Sequence, residues 1–109
     1  MYFPAAVWIE NLRSGKYVQG FGFLHKTNLY CPIGVACETY IQIESDLNIT
    51  KCVDDIYLYD GYSIHMPSKV RSWLRLQTSF THDLELYNDI DKKSFTEISY
   101  IIEEYYEQT

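Results

Sequence analysis

The sequence predicts a helix-rich α+β fold, a single small domain over residues 1–109 with about five helices and two short β-hairpins. Three observations predict it. Apolar residues recur at helical spacing in several separate segments. An Asp60-Gly61 pair sits between two alternating, tyrosine-rich runs, the signature of a tight hairpin turn. No apolar run is long enough to cross a membrane or to act as a secretion signal, so a soluble domain is expected.

Each element has its own local reason. Phe3 to Ser14 reads as a helix because Ala5, Trp8, Ile9 and Leu12 fall on one stripe, Pro4 suits a first turn and Gly15 stops it. From Lys16 to Leu24 the period changes to two, giving a strand with Tyr17, Gln19, Phe21 and Phe23 on one face and Gly20 and Gly22 on the other. That bare face implies a close approach to the backbone, by a helix of the domain or by a ligand. His25 to Asn28 then makes a turn, and Leu29-Tyr30 returns as a short paired strand.

Pro32 opens a second helix whose stripe is Ile33, Ala36, Cys37, Tyr40 and Ile41, which places Cys31 at the N-cap. After a polar connection, Ile56–Tyr59 and Tyr62–His65 are expected to pair across Asp60-Gly61 in a type I′ hairpin. Pro67 to Leu76 reads as a short helix and Thr81 to Asn88 as another. The last helix begins at Ser94, which forms a capping box with Glu97, and continues through Phe95, Ile98, Ile101, Ile102 and Tyr105.

The net charge of −6 resides wholly in the segment from Asp83 onward, where eight acids meet only Lys92 and Lys93. Before it, seven acids balance seven bases, so there is no basic field able to track a phosphate backbone and nonspecific nucleic-acid binding is not expected. Cys31, Cys37 and Cys52 form no even framework and fit reduced thiols. His25, His65 and His82 are scattered and no cysteine pair has ligand spacing, so neither a metal nor a cofactor is expected. Gly20-Phe21-Gly22 precedes a turn rather than a helix and is no phosphate loop.

Three features carry functional expectations. Cys31 is the single catalytic candidate, because the helix dipole lowers the pKa of an N-cap thiol; its bland alternative is a small buried residue at a strand-to-helix corner. Arg13, Lys16, Gln19 and Lys26, with Tyr17 and Tyr30 as flat surfaces, could hold an anionic nucleotide. Tyr100, Glu103, Glu104, Tyr105 and Tyr106 on the acidic last helix could dock on a basic partner, or form an ordinary solvated face.

Two motifs extend beyond local geometry: Trp8-x-x-x-Leu12-Arg13-Ser14-Gly15-Lys16-Tyr17-x-Gln19-Gly20-x-Gly22-x-Leu24, and Tyr30-Cys31-x-x-Gly34-Val35-x-Cys37. With Met66-Pro67-x-x-Val70-x-x-Trp73-Leu74-x-Leu76, Leu86-Tyr87-Asn88-Asp89 and Ser94-Phe95-x-Glu97-Ile98, the chain resembles a small family of uncharacterised phage and prophage proteins without an assigned activity. Pro32 replaces a cysteine common in that family, and His65 is not typical of it. The resemblance implies a viral accessory protein acting in the host cytoplasm. Three functions are therefore expected in turn: a non-enzymatic protein that binds and blocks a host factor, a sponge for a signalling nucleotide, and a Cys31-dependent enzyme. Tyrosine-rich strand edges also offer a route to a homodimer.

Overall fold

The computed structural model describes residues 1–108. They form five helices and two small sheets around one core, the α+β class expected. Helix α1 spans Phe3–Arg13, α2 Pro32–Ile43, α3 Ser68–Leu74, α4 Thr78–Asp89 and α5 Phe95–Gln108. One sheet holds β1 (Val18–Gln19), β2 (His25–Lys26) and β3 (Leu29–Tyr30) in the order β1-β3-β2; the other pairs β4 (Ile49–Lys51) with β5 (Tyr57–Tyr59). No helix among the described residues is long and apolar enough to cross a membrane.

Helix α2 is the centre, packed on by α1, α3, α4 and β3. It is therefore buried nearly all round, from Pro32 through Cys37 and again at Thr39 and Tyr40, rather than along one stripe. Removing so much apolar surface from water, at about 25 cal/mol per Å², is the main source of stability here. The close approach this requires is visible at Gly34, where a Cβ would lie 2.8 Å from the carbonyl carbon of Leu24 and nearer still to its oxygen. Helix α1 buries Ala5, Trp8, Ile9 and Leu12 against α2 and α5, and the Trp8 Nε1–H donates to the Pro32 carbonyl at 3.0 Å. Helix α5 closes the core with Phe95, Ile98 and Ile102, and its Ser94/Glu97 capping box forms as read, with reciprocal bonds of 3.0 and 3.1 Å.

Several expectations are corrected. The strand over Lys16 to Leu24 is only Val18–Gln19, which runs parallel to β3. It stops because α4 captures the backbone beyond it: Asn88 Nδ2 donates to Gly20 O at 3.0 Å, and Gly22 N–H donates to Asp89 Oδ1 at 3.0 Å. There is accordingly no shared bare face. A Cβ on Gly20 would meet Leu29 Cβ of β3, whereas Gly22, at φ +85°, faces open space.

The first hairpin exists, but His25 and Lys26 belong to its strand rather than to its turn, pairing with Tyr30 and Leu29. At the second, Asp60 and Gly61 take the positive φ values of a I′ turn, +50° and +87°, and Tyr59 and Tyr62 exchange both backbone bonds at 2.9 Å. Beyond Tyr62 the chain leaves, because Ser63 O accepts from Leu24 N–H at 2.8 Å. The true partner of β5 is β4, antiparallel with Thr50 opposite Leu58. Helix α4 also starts earlier than expected, at Thr78, and Pro67 caps α3 rather than opening it.

Candidate functional site

The packing of α1 on α5 brings together residues that the sequence assigns to two different sites. Arg13, the last residue of α1, reaches across to α5: its Nε donates to Ser99 Oγ at 2.8 Å and Nη2 to Glu103 Oε1 at 3.3 Å. Its guanidinium carbon lies 4.3 Å from the centre of the Tyr100 ring. Beside this crossing an open groove of about 410 Å³ is lined by Met1, Ala6, Ile9, Glu10, Arg13 and Glu103. Its walls are apolar and its rim is mostly acidic. Phe3 and Tyr100, the latter beneath the Arg13 guanidinium, stay 66% and 58% exposed on the same pair of helices.

Tyr105 and Tyr106, by contrast, fasten α5 to the core. Tyr105 stacks on Phe80 with centroids 4.0 Å apart and accepts from Gln77 N–H at 3.2 Å. Tyr106 donates its hydroxyl proton to the Leu74 carbonyl. Glu104 remains exposed, bonded by Gln108 Nε2 at 3.1 Å.

Of the residues expected around a nucleotide, Gln19, Lys26 and Tyr30 lie on the three-stranded sheet, with Tyr17 against Tyr30. Arg13 is engaged on α5, and Gln19 is spent on the clamp with α4, donating to Asn88 Oδ1 at 2.7 Å and to Lys93 O at 2.8 Å. Tyr17 and Tyr30 meet edge to face at 5.0 Å. Lys16 and Lys26 alone of that set are exposed cations without a carboxylate partner among the described residues.

Tyr30 takes part in a cluster that sequence reasoning missed. The buried His25 ring is sandwiched between Tyr30 and Tyr57, each 4.0 Å away centroid to centroid. Its Nε2 lies 2.9 Å from the Thr27 carbonyl, which can only accept, so that nitrogen carries the proton. Nδ1 then faces the hydroxyl of the fully buried Tyr59 at 2.9 Å, and the same hydroxyl donates to Glu38 Oε2 at 2.6 Å. One proton serves two acceptors. Burial lowers the His25 pKa, opposed by its Thr27 bond and by the Glu38 charge, while burial and Glu38 push Tyr30 up to about 12. The alternation Tyr57-Leu58-Tyr59 hinted at a shared aromatic face; the histidine between the rings comes from the other sheet.

Cys31 sits at the N-cap as read, its Sγ accepting from Gly34 N–H at 3.4 Å. The expected activation is not seen. Burial pushes the thiol up to about 12, outweighing the downward pull of the Gly34 and Ile33 N–H groups. The cleft over it, between Gly22, Phe23, Ile64, Leu84 and Asn88, has about 10 Å³ of free volume, room for one water. Among the described residues no imidazole hydrogen-bonds Cys31, and His65 instead pairs with Glu85. Cys37 is fully buried and Cys52 exposed.

A comparison with known families places this architecture. The chain belongs to DUF8296, a domain-of-unknown-function family, which it matches over residues 5–106. That span takes in α2, α3 and α4 whole, most of α1 and α5, and every groove residue except Met1. No curated protein and no solved structure matches the chain.

Proposed function

We propose that this protein is a non-enzymatic binding module that docks on a partner protein through the α1–α5 face. The single observation carrying this reading is the groove: Ala6 and Ile9 give it an apolar wall, and its rim holds two acids, Glu10 and Glu103, against one base, Arg13, which pairs with Glu103. The surrounding helix adds Glu104 and Glu107, within the segment that holds the entire net charge. The occupant this chemistry suits is a basic segment bearing an apolar or aromatic anchor, steered in by charge and held by burial. The resemblance to phage and prophage proteins supplies the setting: a host factor, bound and blocked in the host cytoplasm, as in takeover or anti-defence. A blocker of this kind needs a folded surface and no turnover, which agrees with a buried, protonated Cys31. The engagement of Arg13 and Gln19 supports docking over nucleotide capture.

The test is affinity capture from host lysate with four forms of the tagged chain, read by mass spectrometry of proteins and of small molecules released on denaturation. Wild type should retain a partner that Ala6→Arg and the double reversal Glu10→Lys, Glu107→Lys lose, while Lys16→Glu with Lys26→Glu keeps it. A partner indifferent to the groove variants, a released nucleotide, or a second copy of the chain as sole occupant would each overturn the assignment.

A further inference from the structure

Two of the three histidines that look scattered in the sequence, His65 and His82, meet in space. His82 and Glu85, three positions apart on α4, present their side chains to one face of that helix. His65, from the loop that precedes α3, lies over the same face: its Nδ1 is 3.1 and 3.0 Å from the two Glu85 carboxylate oxygens, and its ring centre is 5.8 Å from that of His82. One ligand-type atom from each of the three lies within 4.8 Å of the others. None of the three belongs to the docking face.

We propose that His65, His82 and Glu85 form a binding site for a divalent transition cation of the zinc, cobalt or nickel class. Two imidazoles and one carboxylate are the donors such borderline ions take, whereas calcium and magnesium require more oxygen ligands than this site offers. At metal–ligand distances of about 2.0–2.1 Å, donors around a tetrahedral ion stand roughly 3.4 Å apart. His65 and Glu85 are already near that separation, and the cation takes the place of the proton they now share. His82 closes the set by a rotamer change that its exposure leaves open.

The framework behind the donors is fixed on both sides. Helix α4 is held to the Gly20–Gly22 loop by Asn88 and Asp89, and the His65 loop is anchored by the Ser63 carbonyl before it and the buried Met66 and Pro67 after it. Glu85 is the most enclosed ligand, its side chain only 17% exposed. Three protein donors leave a coordination position facing outward for water or for a donor from another molecule. Bound metal would pin the loop between β5 and α3 onto α4.

Calorimetric titration of the full chain with zinc chloride tests this, in a Cys52→Ser background that removes the one exposed thiol. One equivalent should bind, and His65→Gln, His82→Gln and Glu85→Gln should each weaken binding about tenfold or more. Far-UV circular dichroism of each variant must match wild type, as these mostly exposed positions allow. Calcium chloride should give no binding heat. Absence of zinc binding, affinity unchanged in the His65→Gln, His82→Gln double variant, or equal binding of calcium would overturn the site.

Discussion

Gly34→Ala is the sharpest probe of how α2 is seated. In an isolated helix the change would help, by about 1 kcal/mol of propensity. Here the new methyl would stand 2.8 Å from the Leu24 carbonyl carbon and 3.3 Å from its Cα, against an optimal carbon–carbon contact of roughly 3.5–4.0 Å. The obstacle is backbone, so no side chain can swing aside, and α2 and the Leu24 segment must part by about 1 Å. Overpacking of this kind costs roughly 1–3 kcal/mol. The separation also strains the bond from Cys31 N–H to Leu24 O, now 3.1 Å, and a buried group left unpaired costs about 1–3 kcal/mol more. Setting the propensity gain against both terms leaves a net destabilisation of about 3 kcal/mol. Urea unfolding followed by tryptophan fluorescence should show the midpoint lowered by roughly 1.5 M at an unchanged slope. A midpoint within about 0.3 M of wild type, or above it, would refute the close seating of α2 on Leu24.

Three further outcomes follow from the buried groups. Asn88 donates to Gly20 O and Asp89 and accepts from Gln19, so Asn88→Asp, which replaces a donor by a charged acceptor facing two acceptors, should destabilise more than Asn88→Ala in the same urea assay. In native protein at neutral pH an alkylating reagent should label Cys52 alone, with Cys31 and Cys37 reacting only on unfolding; peptide mass mapping reads this, and rapid native labelling of Cys31 would restore it as a nucleophile. The folded state holds His25 at a pKa below its unfolded value, so the unfolded chain binds the proton more readily. Its contribution to stability is full above about pH 6.5 and is lost as the pH falls through the depressed folded value. Midpoints measured at pH 7.5 and 5.5 should therefore differ more for wild type than for His25→Gln.

The sequence was most legible where a structure is decided within a few residues. Ser94 and Glu97 announce the start of α5, Pro32 opens α2 behind Cys31, and Asp60-Gly61 makes its turn whatever surrounds it. It was least legible where the deciding partner is distant. Strand β4 is exposed on both faces and has no alternation to betray it; only pairing with β5 makes it a strand. The Lys16–Leu24 run alternates well, yet Asn88 and Asp89, 67 or more residues away, take its backbone bonds. The α1–α5 groove is half visible: Glu103 and Arg13 both stand out in the sequence, but for separate sites, because nothing local says that helices α1 and α5 touch. The same blindness hid His65 from Glu85.

The contact between Arg13 and Ser99 spans 86 residues and has a consequence for how the chain is made. On the ribosome α1 can meet α2 early, but its second neighbour, α5, emerges only after α2, α3 and α4. At elongation rates of about 5–20 residues per second, the α5-facing side of α1 waits roughly 4–17 s for its cover. During that interval the nascent chain exposes a sticky helix flank, a natural handle for a chaperone.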